Sequence, residues 1–405
     1  MKIAFLVGRF PTLSKTFILD QIVGLIERGH EVDIFSGSRG KYSKVHPDVR
    51  EYDLLAKTYY RYSPIKAIRL FIQYSPKNYL VLFKSLNIFK YGKNALSLRL
   101  FYATLPFLRK GPYDIIHCHF GSKGILGVLL RELGAIEGKI VTSFHGYDAN
   151  AYPRKHGRDL YKLLFQKVNL CTVNTDFTGE RVKALGCPED KIVKLPVGLD
   201  ITKFPFIERK LNSVDNIKVL TVGRLVEKKG LKYSIKAVAK VLKTYPNLQY
   251  QIVGDGALRN QLHKLIRQLD IGDKVKLLGW MNQDEVRQLY AKAHIFILSS
   301  VTGRDGDQEG QGLVLQEAQA MGLPVISTLH NGIPEGVLDG KSGFLVPERD
   351  VDAIALKLQQ LILHPEIWPE MGRAGRQFVE NHYDIKELND QLVEIYQRLL
   401  RGELP

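Results

Sequence analysis

Short apolar runs rich in Val, Ile and Leu alternate with longer stretches of helical spacing along most of this 405-residue chain. In the first half the runs fall at 3–7, 31–35, 115–119, 139–144, 170–173 and 192–195. A second series follows at 218–222, 249–253, 275–278, 295–298, 325–327 and 344–346. Runs of this length, separated by helical intervals, predict parallel sheets with crossover helices, an α/β class. Between the two series, residues 198–216 carry turn-forming and polar residues without a period, which predicts an interdomain linker. Beyond the last strand, 351–363 and 388–400 keep helical spacing. The chain is long for one core. The pattern predicts two doubly wound, Rossmann-like domains, 1–208 and 209–385, with a C-terminal helix at about 386–405 free to pack back on the first.

Composition changes this picture in one respect. The apolar fraction of 45% and charged fraction of 25% are those of an ordinary folded protein. The first apolar run stops at Gly8-Arg9, too short for a secretory signal, and no stretch approaches the roughly 18 to 20 apolar residues of a spanning helix. Cys118, Cys171 and Cys187 are odd in number and lack CxxC spacing, which predicts neither a disulfide framework nor a zinc site and fits a reducing cytoplasm. The net charge of +16, however, is unevenly spread. From Leu54 to Tyr113 there is no Asp or Glu, while Lys57, Arg61, Lys66, Arg69, Lys77, Lys84, Lys90, Lys93, Arg99, Arg109 and Lys110 are interleaved with Tyr, Phe, Leu and Ile. Nucleic acid, anionic lipid and anionic substrates all attract such a segment. No nucleic-acid motif accompanies it, so the expected partner of 54–113 is an anionic membrane surface, with Lys and Arg heads over aromatic bodies.

Unusual residues stand directly after predicted strands: Arg9 and Ser14, His145, Arg224, Gly254 and the Gly310 region. Open α/β sheets bind ligands outside the carboxyl ends of their strands, so this placement predicts a cleft. The densest signal lies in 305–324, where Glu309, Gly310, Gln311 and Gly312 lead into a helix predicted from Gly312 to about Met321 that carries Glu317. Glycines permit close backbone approach, and the N–H groups of a helix start, reinforced by the dipole, seat a diphosphate. Asp305, Asp307 and Glu309 imitate a calcium loop, but the acid that loop requires falls at Gln316. His117 and His119 share a strand face without a nearby Cys or Glu to complete a site. No metal is expected. Gly254-x-Gly256 lacks a third glycine and is equally explained by a tight turn.

Glu309-Gly310-Gln311-Gly312 with Glu317 and the following Ala318-Gln319-Ala320-Met321-Gly322-Leu323-Pro324-Val325 resembles the paired-glutamate motif of retaining GT-B glycosyltransferases of family 4. Residues 222–230 are similar to that family's phosphate-binding segment, 253–256 to its glycine turn and 143–148 to its acceptor-domain histidine loop. Residues 10–18 resemble the branch that builds bacterial exopolysaccharides such as colanic acid and amylovoran. Lys15 and Gln311 depart from it, standing where the family often has an acidic and an aromatic residue respectively.

The resemblance implies a GT-B fold whose domains face across a cleft, the second binding a nucleotide sugar and the first an acceptor. It implies a retaining hexosyltransferase without cofactor or metal, taking a UDP- or GDP-linked sugar to a lipid-linked or growing saccharide at the cytoplasmic face of the plasma membrane. Arg224 and Lys229, with Gly310, Gly312 and Leu313 at the helix start, would bind the donor diphosphate. Glu317 would hold the ribose, Glu309 the transferred sugar, and His145 would line the opposite wall. Ser14, Gly254 and Gln311 would be further donor or acceptor contacts. A non-catalytic sugar-nucleotide-binding subunit and a GT-B phosphorylase or epimerase are the alternatives.

Overall fold

Both strand series form sheets. The computed structural model describes residues 1–12, 16–40, 46–62, 76–108, 110–211 and 216–404. In the first domain β1 (Lys2–Phe10), β2 (Glu31–Arg39), β3 (Thr58–Tyr60), β4 (Ile115–His119), β5 (Lys139–Phe144), β6 (Leu170–Val173) and β7 (Ile192–Lys194) make a seven-stranded sheet in the order β3-β2-β1-β4-β5-β6-β7. In the second, β8 (Ile217–Val222), β9 (Leu248–Val253), β10 (Val275–Gly279), β11 (Ile295–Leu298), β12 (Val325–Thr328) and β13 (Gly343–Val346) run β10-β9-β8-β11-β12-β13. Every neighbouring pair is parallel. The order reverses between β1 and β4 and between β8 and β11, which places a ligand crevice at each carboxyl edge.

The sequence pattern differs from the sheets in two places. β1 and β2 run past their apolar segments because each continues to satisfy the other's backbone as far as the Phe10–Arg39 pair. β3 is absent from the predicted strands. It is a three-residue edge strand paired to Ile34–Ser36, too short to show a period.

Residues of the predicted linker contribute one short 3-10 turn, Ile201–Lys203, and backbone bonds that tie both domains together. The Leu199 N–H donates to Tyr383 O at 2.9 Å and its carbonyl accepts from Ile385 N–H at 3.0 Å. The buried Arg209 guanidinium donates to the carbonyls of Ala291 and Met321, fastening this stretch to the second domain.

The chain then returns to the first domain. A helix over Ile385–Arg401, capped by the Asp384 side chain, lays Leu388, Leu392, Ile395, Tyr396 and Leu399 against Ile3, Ile18, Leu19 and Ile22. Arg28 pairs with Asp390 at 2.6 Å on the rim of this contact. The last helix therefore belongs to the first domain's core although it is encoded after the second.

Within the acid-free segment, residues 63–75 and Arg109 lie outside the described residues, as does Ser14. The rest forms short helices over Pro76–Ser85, Ile88–Tyr91, Lys93–Leu96 and Arg99–Thr104. Phe83, Ile88, Phe89, Leu96 and Leu98 are exposed on them. Among the described residues no helix is long and apolar enough to cross a membrane.

Leu392 is fully buried between the domains' two contributions to this core. Leu392→Ala should cost about 2–5 kcal/mol of stability. Urea unfolding followed by circular dichroism measures it, and an unmoved midpoint would mean that the helix adds nothing to that core.

Candidate active site

β11 leads through a polar loop to Gly312, whose left-handed conformation (φ 77°) turns the chain into the helix Leu313–Ala320. Glycine offers no side chain as a cap, so the first-turn N–H groups face the loop mouth without one. Glu309 stands before this helix start. Its Oε2 lies 2.6 Å from Lys229 Nζ, and both side chains are largely buried, 15% and 10% exposed. Lys228 beside it binds Asp307 Oδ1 at 3.3 Å and the Gln308 carbonyl at 3.1 Å, while Asp305 Oδ1 accepts from the Asp307 N–H at 2.9 Å. Burial acts to raise the Glu309 carboxyl, but Lys229 and Lys228 outweigh it and hold the group down at about 2.

The peptide of Glu309 is held from behind. Its N–H donates to His330 Nε2 at 3.1 Å, and Asn331 Nδ2 donates to its carbonyl at 3.2 Å. An amide N–H can only donate, so Nε2 accepts, and the His330 proton sits on Nδ1, facing Glu348. His330, just after β12, was not among the expected site residues. The rule that ligand-side residues follow strands was the available signal.

Glu317 has a different environment. It accepts from the fully buried Tyr290 hydroxyl at 3.0 Å and lines a narrow crevice with Thr16, Asp20, Asp200, Lys203 and Leu313. Burial raises its carboxyl to about 7, more than Tyr290, Lys229 and Arg287 lower it. The two glutamates thus have separate partners and opposite charge preferences, and they do not form an acid pair.

Arg224 follows β8 and is exposed. Gly254, at φ 132°, brings the end of β9 onto the same segment: an added Cβ would lie 1.9 Å from the Gly223 carbonyl. Its place is to pack one backbone turn on another. Gln311 spends its amide on the first domain, accepting from Val197 N–H at 2.8 Å and donating to Val197 O at 2.7 Å.

His145 reaches the cleft from the first domain. Asp148 accepts from the backbone N–H groups of both His145 and Gly121, each at 2.9 Å, which fixes the loop. The His145 ring packs against Phe17 and Phe120 and stacks on His119, with His145 Nε2 3.1 Å from His119 Nδ1. His117 is fully buried, bonded to Tyr396 and Ser143, and burial pushes it down to about 3, a neutral packing residue. The His145 carbonyl approaches Gly310 so closely that an added Cβ on Gly310 would meet it at 3.1 Å, and one on Gly146 would meet Gly310 Cα at 3.2 Å. His145 and the Glu309 loop are therefore brought together across the domain boundary.

Two facing doubly wound domains with these residues at their carboxyl edges define a GT-B glycosyltransferase. The chain belongs to glycosyltransferase family 4, group 1: residues 14–203 match the family-4 model and 203–378 the model for glycosyl transferases group 1. It is 34% identical to WcaL of Salmonella typhimurium, a protein named for a role in colanic acid biosynthesis, over 98% of this chain and all of that protein. It is 36% identical to the amylovoran biosynthesis glycosyltransferase AmsK of Erwinia amylovora over the same shares. Among solved structures it is similar in fold to HepE of Anabaena in complex with UDP, with a TM-score of 0.71 and 17% identity over 98% of this chain and 100% of that one.

The raised Glu317 carboxyl has a signed consequence. A folded-state value of about 7 against an ordinary glutamate value of 4.5 gives a contribution to stability that is fully present below the lower value and is lost as pH rises through the upper one. Glu317→Gln removes the titration. Unfolding free energies at about pH 5 and about pH 8 should shift in the variant's favour as pH rises. A constant difference between the two proteins would refute the assignment.

Proposed function

We propose that the chain moves a hexosyl group from a UDP- or GDP-linked sugar, with retention of configuration, to a lipid-linked saccharide in bacterial exopolysaccharide synthesis. The observation that carries this reading is the pairing of Lys229 with Glu309 ahead of an uncapped helix start, with the His145 peptide across the seam. Arg224 and the helix start receive the diphosphate. As it binds, Lys229 turns part of its charge from Glu309 to the phosphates, leaving a Glu309 carboxylate to accept from sugar hydroxyls. Glu317, already an acceptor for Tyr290, takes the ribose. The bond between the sugar's anomeric carbon and the phosphate oxygen breaks, and the acceptor oxygen bonds to that carbon on the same face. The acceptor's proton passes to the departing phosphate, whose charge Arg224 and Lys229 stabilise. The likeness to WcaL and AmsK supports exopolysaccharide as the product class, and UDP in HepE supports a nucleotide-linked donor.

Glu309→Ala and Arg224→Ala should each lower turnover about a hundredfold or more. Turnover measured on nucleotide sugars, with the product's anomeric configuration read by NMR, tests both site and retention. Inversion would sink the second, unchanged turnover in both variants the first. Saturable sugar-nucleotide binding without transfer would select a non-catalytic subunit instead.

The acid-free segment supports attachment to an anionic membrane from the inner side. Exposed Phe83, Ile88, Phe89, Leu96 and Leu98 share its helices with Lys84, Lys90, Lys93 and Arg99. Co-sedimentation with vesicles should rise with anionic lipid content and fall with salt. Binding indifferent to both would remove this partner.

A further inference from the structure

His330 follows β12 and is fully buried, and both of its ring nitrogens are engaged. Two donors converge on Nε2, the Glu309 N–H at 3.1 Å and Asn331 Nδ2 at 2.9 Å. A ring nitrogen that faces two N–H donors cannot carry a proton itself, so His330 serves here as the neutral ring with its hydrogen on Nδ1. Glu348 Oε1 accepts that hydrogen, which fixes the tautomer and the orientation of the ring.

Glu348 is fixed in turn. Burial acts to raise its carboxyl, but the bonds to His330 and to the Thr302 N–H outweigh it and hold the group below the ordinary carboxylate range. Its Oε2 accepts from the Thr302 N–H at 3.0 Å, and the neighbouring Arg349 donates to the Thr302 carbonyl at 2.7 Å. The loop that carries Glu309 is thus held at both ends by residues that follow β12 and β13.

Asn331 adds a second hold. Its backbone is left-handed, φ 50°, a region that residues other than glycine seldom enter and asparagine tolerates better than most. From there its amide donates to the Glu309 carbonyl at 3.2 Å as well as to His330. The same stretch is bolted to the first domain: an added Cβ on Gly332 would fall 2.5 Å from Thr175 Cγ2, and Glu335 takes the Asp176 and Phe177 N–H groups. Docking of the domains therefore fixes the segment that fixes Glu309.

Every polar group of Glu309 is held, the N–H by His330, the carbonyl by Asn331 and the carboxylate by Lys229 at 2.6 Å. The three holds differ in permanence. Under the transfer reading the donor phosphates draw charge from Lys229, and the carboxylate loses its fixed partner. A side chain with three torsions is then directed only by the peptide it springs from. His330 has no exposed surface for a donor to touch, so its hold on that peptide persists.

We propose that His330 is a positioning residue for sugar transfer: as a neutral acceptor for the Glu309 N–H, oriented by Glu348, it keeps the Glu309 carboxylate directed at the transferred sugar once Lys229 turns to the phosphates. The proposal rests on the reading that Glu309 holds that sugar.

Turnover of the full chain on UDP- and GDP-linked sugars, set beside calorimetric titration with UDP and GDP, tests it. His330→Ala, which removes the acceptor, should lower kcat about tenfold or more while both nucleotides bind within about twofold of the unaltered chain, which also shows that the variant is folded. His330→Gln offers an amide oxygen in place of Nε2 and should recover most of the loss. In a Glu309→Ala background, His330→Ala should cost less than about twofold more, because a residue that acts through Glu309 has nothing left to direct. An equal loss in the Ala and Gln variants, a matching loss of nucleotide affinity, or an undiminished cost in the Glu309→Ala background makes His330 a part of the scaffold only and overturns the proposal. If Glu309→Ala lowers turnover and His330→Ala leaves it unchanged, the positioning role alone falls. If turnover is indifferent to Glu309→Ala, the assignment of Glu309 falls and takes the proposal with it.

Discussion

Two sheets meet here backbone to backbone. At Gly146, Gly310 and Gly332 the loops from the two domains pack closely, an added Cβ on Gly146 falling 3.2 Å from Gly310 Cα and one on Gly332 falling 2.5 Å from Thr175 Cγ2 of the first domain. The loop that makes this contact carries Glu309 on one side and Gln311 on the other, so the position of the seam sets the position of the site. It is reinforced where the second domain supplies what the first lacks. Glu335 accepts from Asp176 and Phe177 N–H at 2.9 and 3.1 Å, satisfying the start of a first-domain helix, and pairs with Lys194 at 2.7 Å. Gln311 does the same for the Val197 peptide.

Around that seam the protein keeps two glutamates in opposite conditions. Both are removed from water, which by itself disfavours charge. Glu309 has two lysines near it and stays ionised, whereas Glu317 has a tyrosine hydroxyl and is driven upward. A carboxylate paired with a lysine that phosphate can attract is suited to changing partners when an anion arrives. A carboxyl near neutrality in a crevice shared with Asp20 and Asp200 is suited to a neutral polyol. This division of labour fits separate targets along one donor molecule.

The excess positive charge is local, and its partners differ by place. In the second domain lysines are met by acids, as with Lys228 and Asp307. In the acid-free segment Arg61 lies over a ring, 5.0 Å from Tyr102, Lys110 lies 4.2 Å from the Tyr59 ring and donates to its hydroxyl, and Lys90 meets Glu132 at 3.9 Å. Charge and exposed hydrocarbon share one set of short helices on that side of the first domain.

The fold was legible because its signals are local. Apolar runs of strand length and helical spacing are written in consecutive residues, and the strand that did not register is β3, whose Thr58-Tyr59-Tyr60 carries no Val, Ile or Leu, whereas the equally short β7 does. Glu309, Gly312, Arg224 and His145 could be singled out as candidates because each follows a strand or opens a helix, and Lys229 and Glu317 because of the motifs that contain them. What those groups do to one another was not legible. Lys229 and Glu309 are distant in sequence, as are Tyr290 and Glu317, Gln311 and Val197, and Glu309 and His330. No local pattern encodes such pairs, because they exist only after two sheets have docked. Gln311 shows the limit best: a residue read as a possible donor or acceptor contact holds the neighbouring domain's backbone instead. Charge state, cavity shape and the closeness of the seam follow from burial and distance, and these are properties of the folded chain alone.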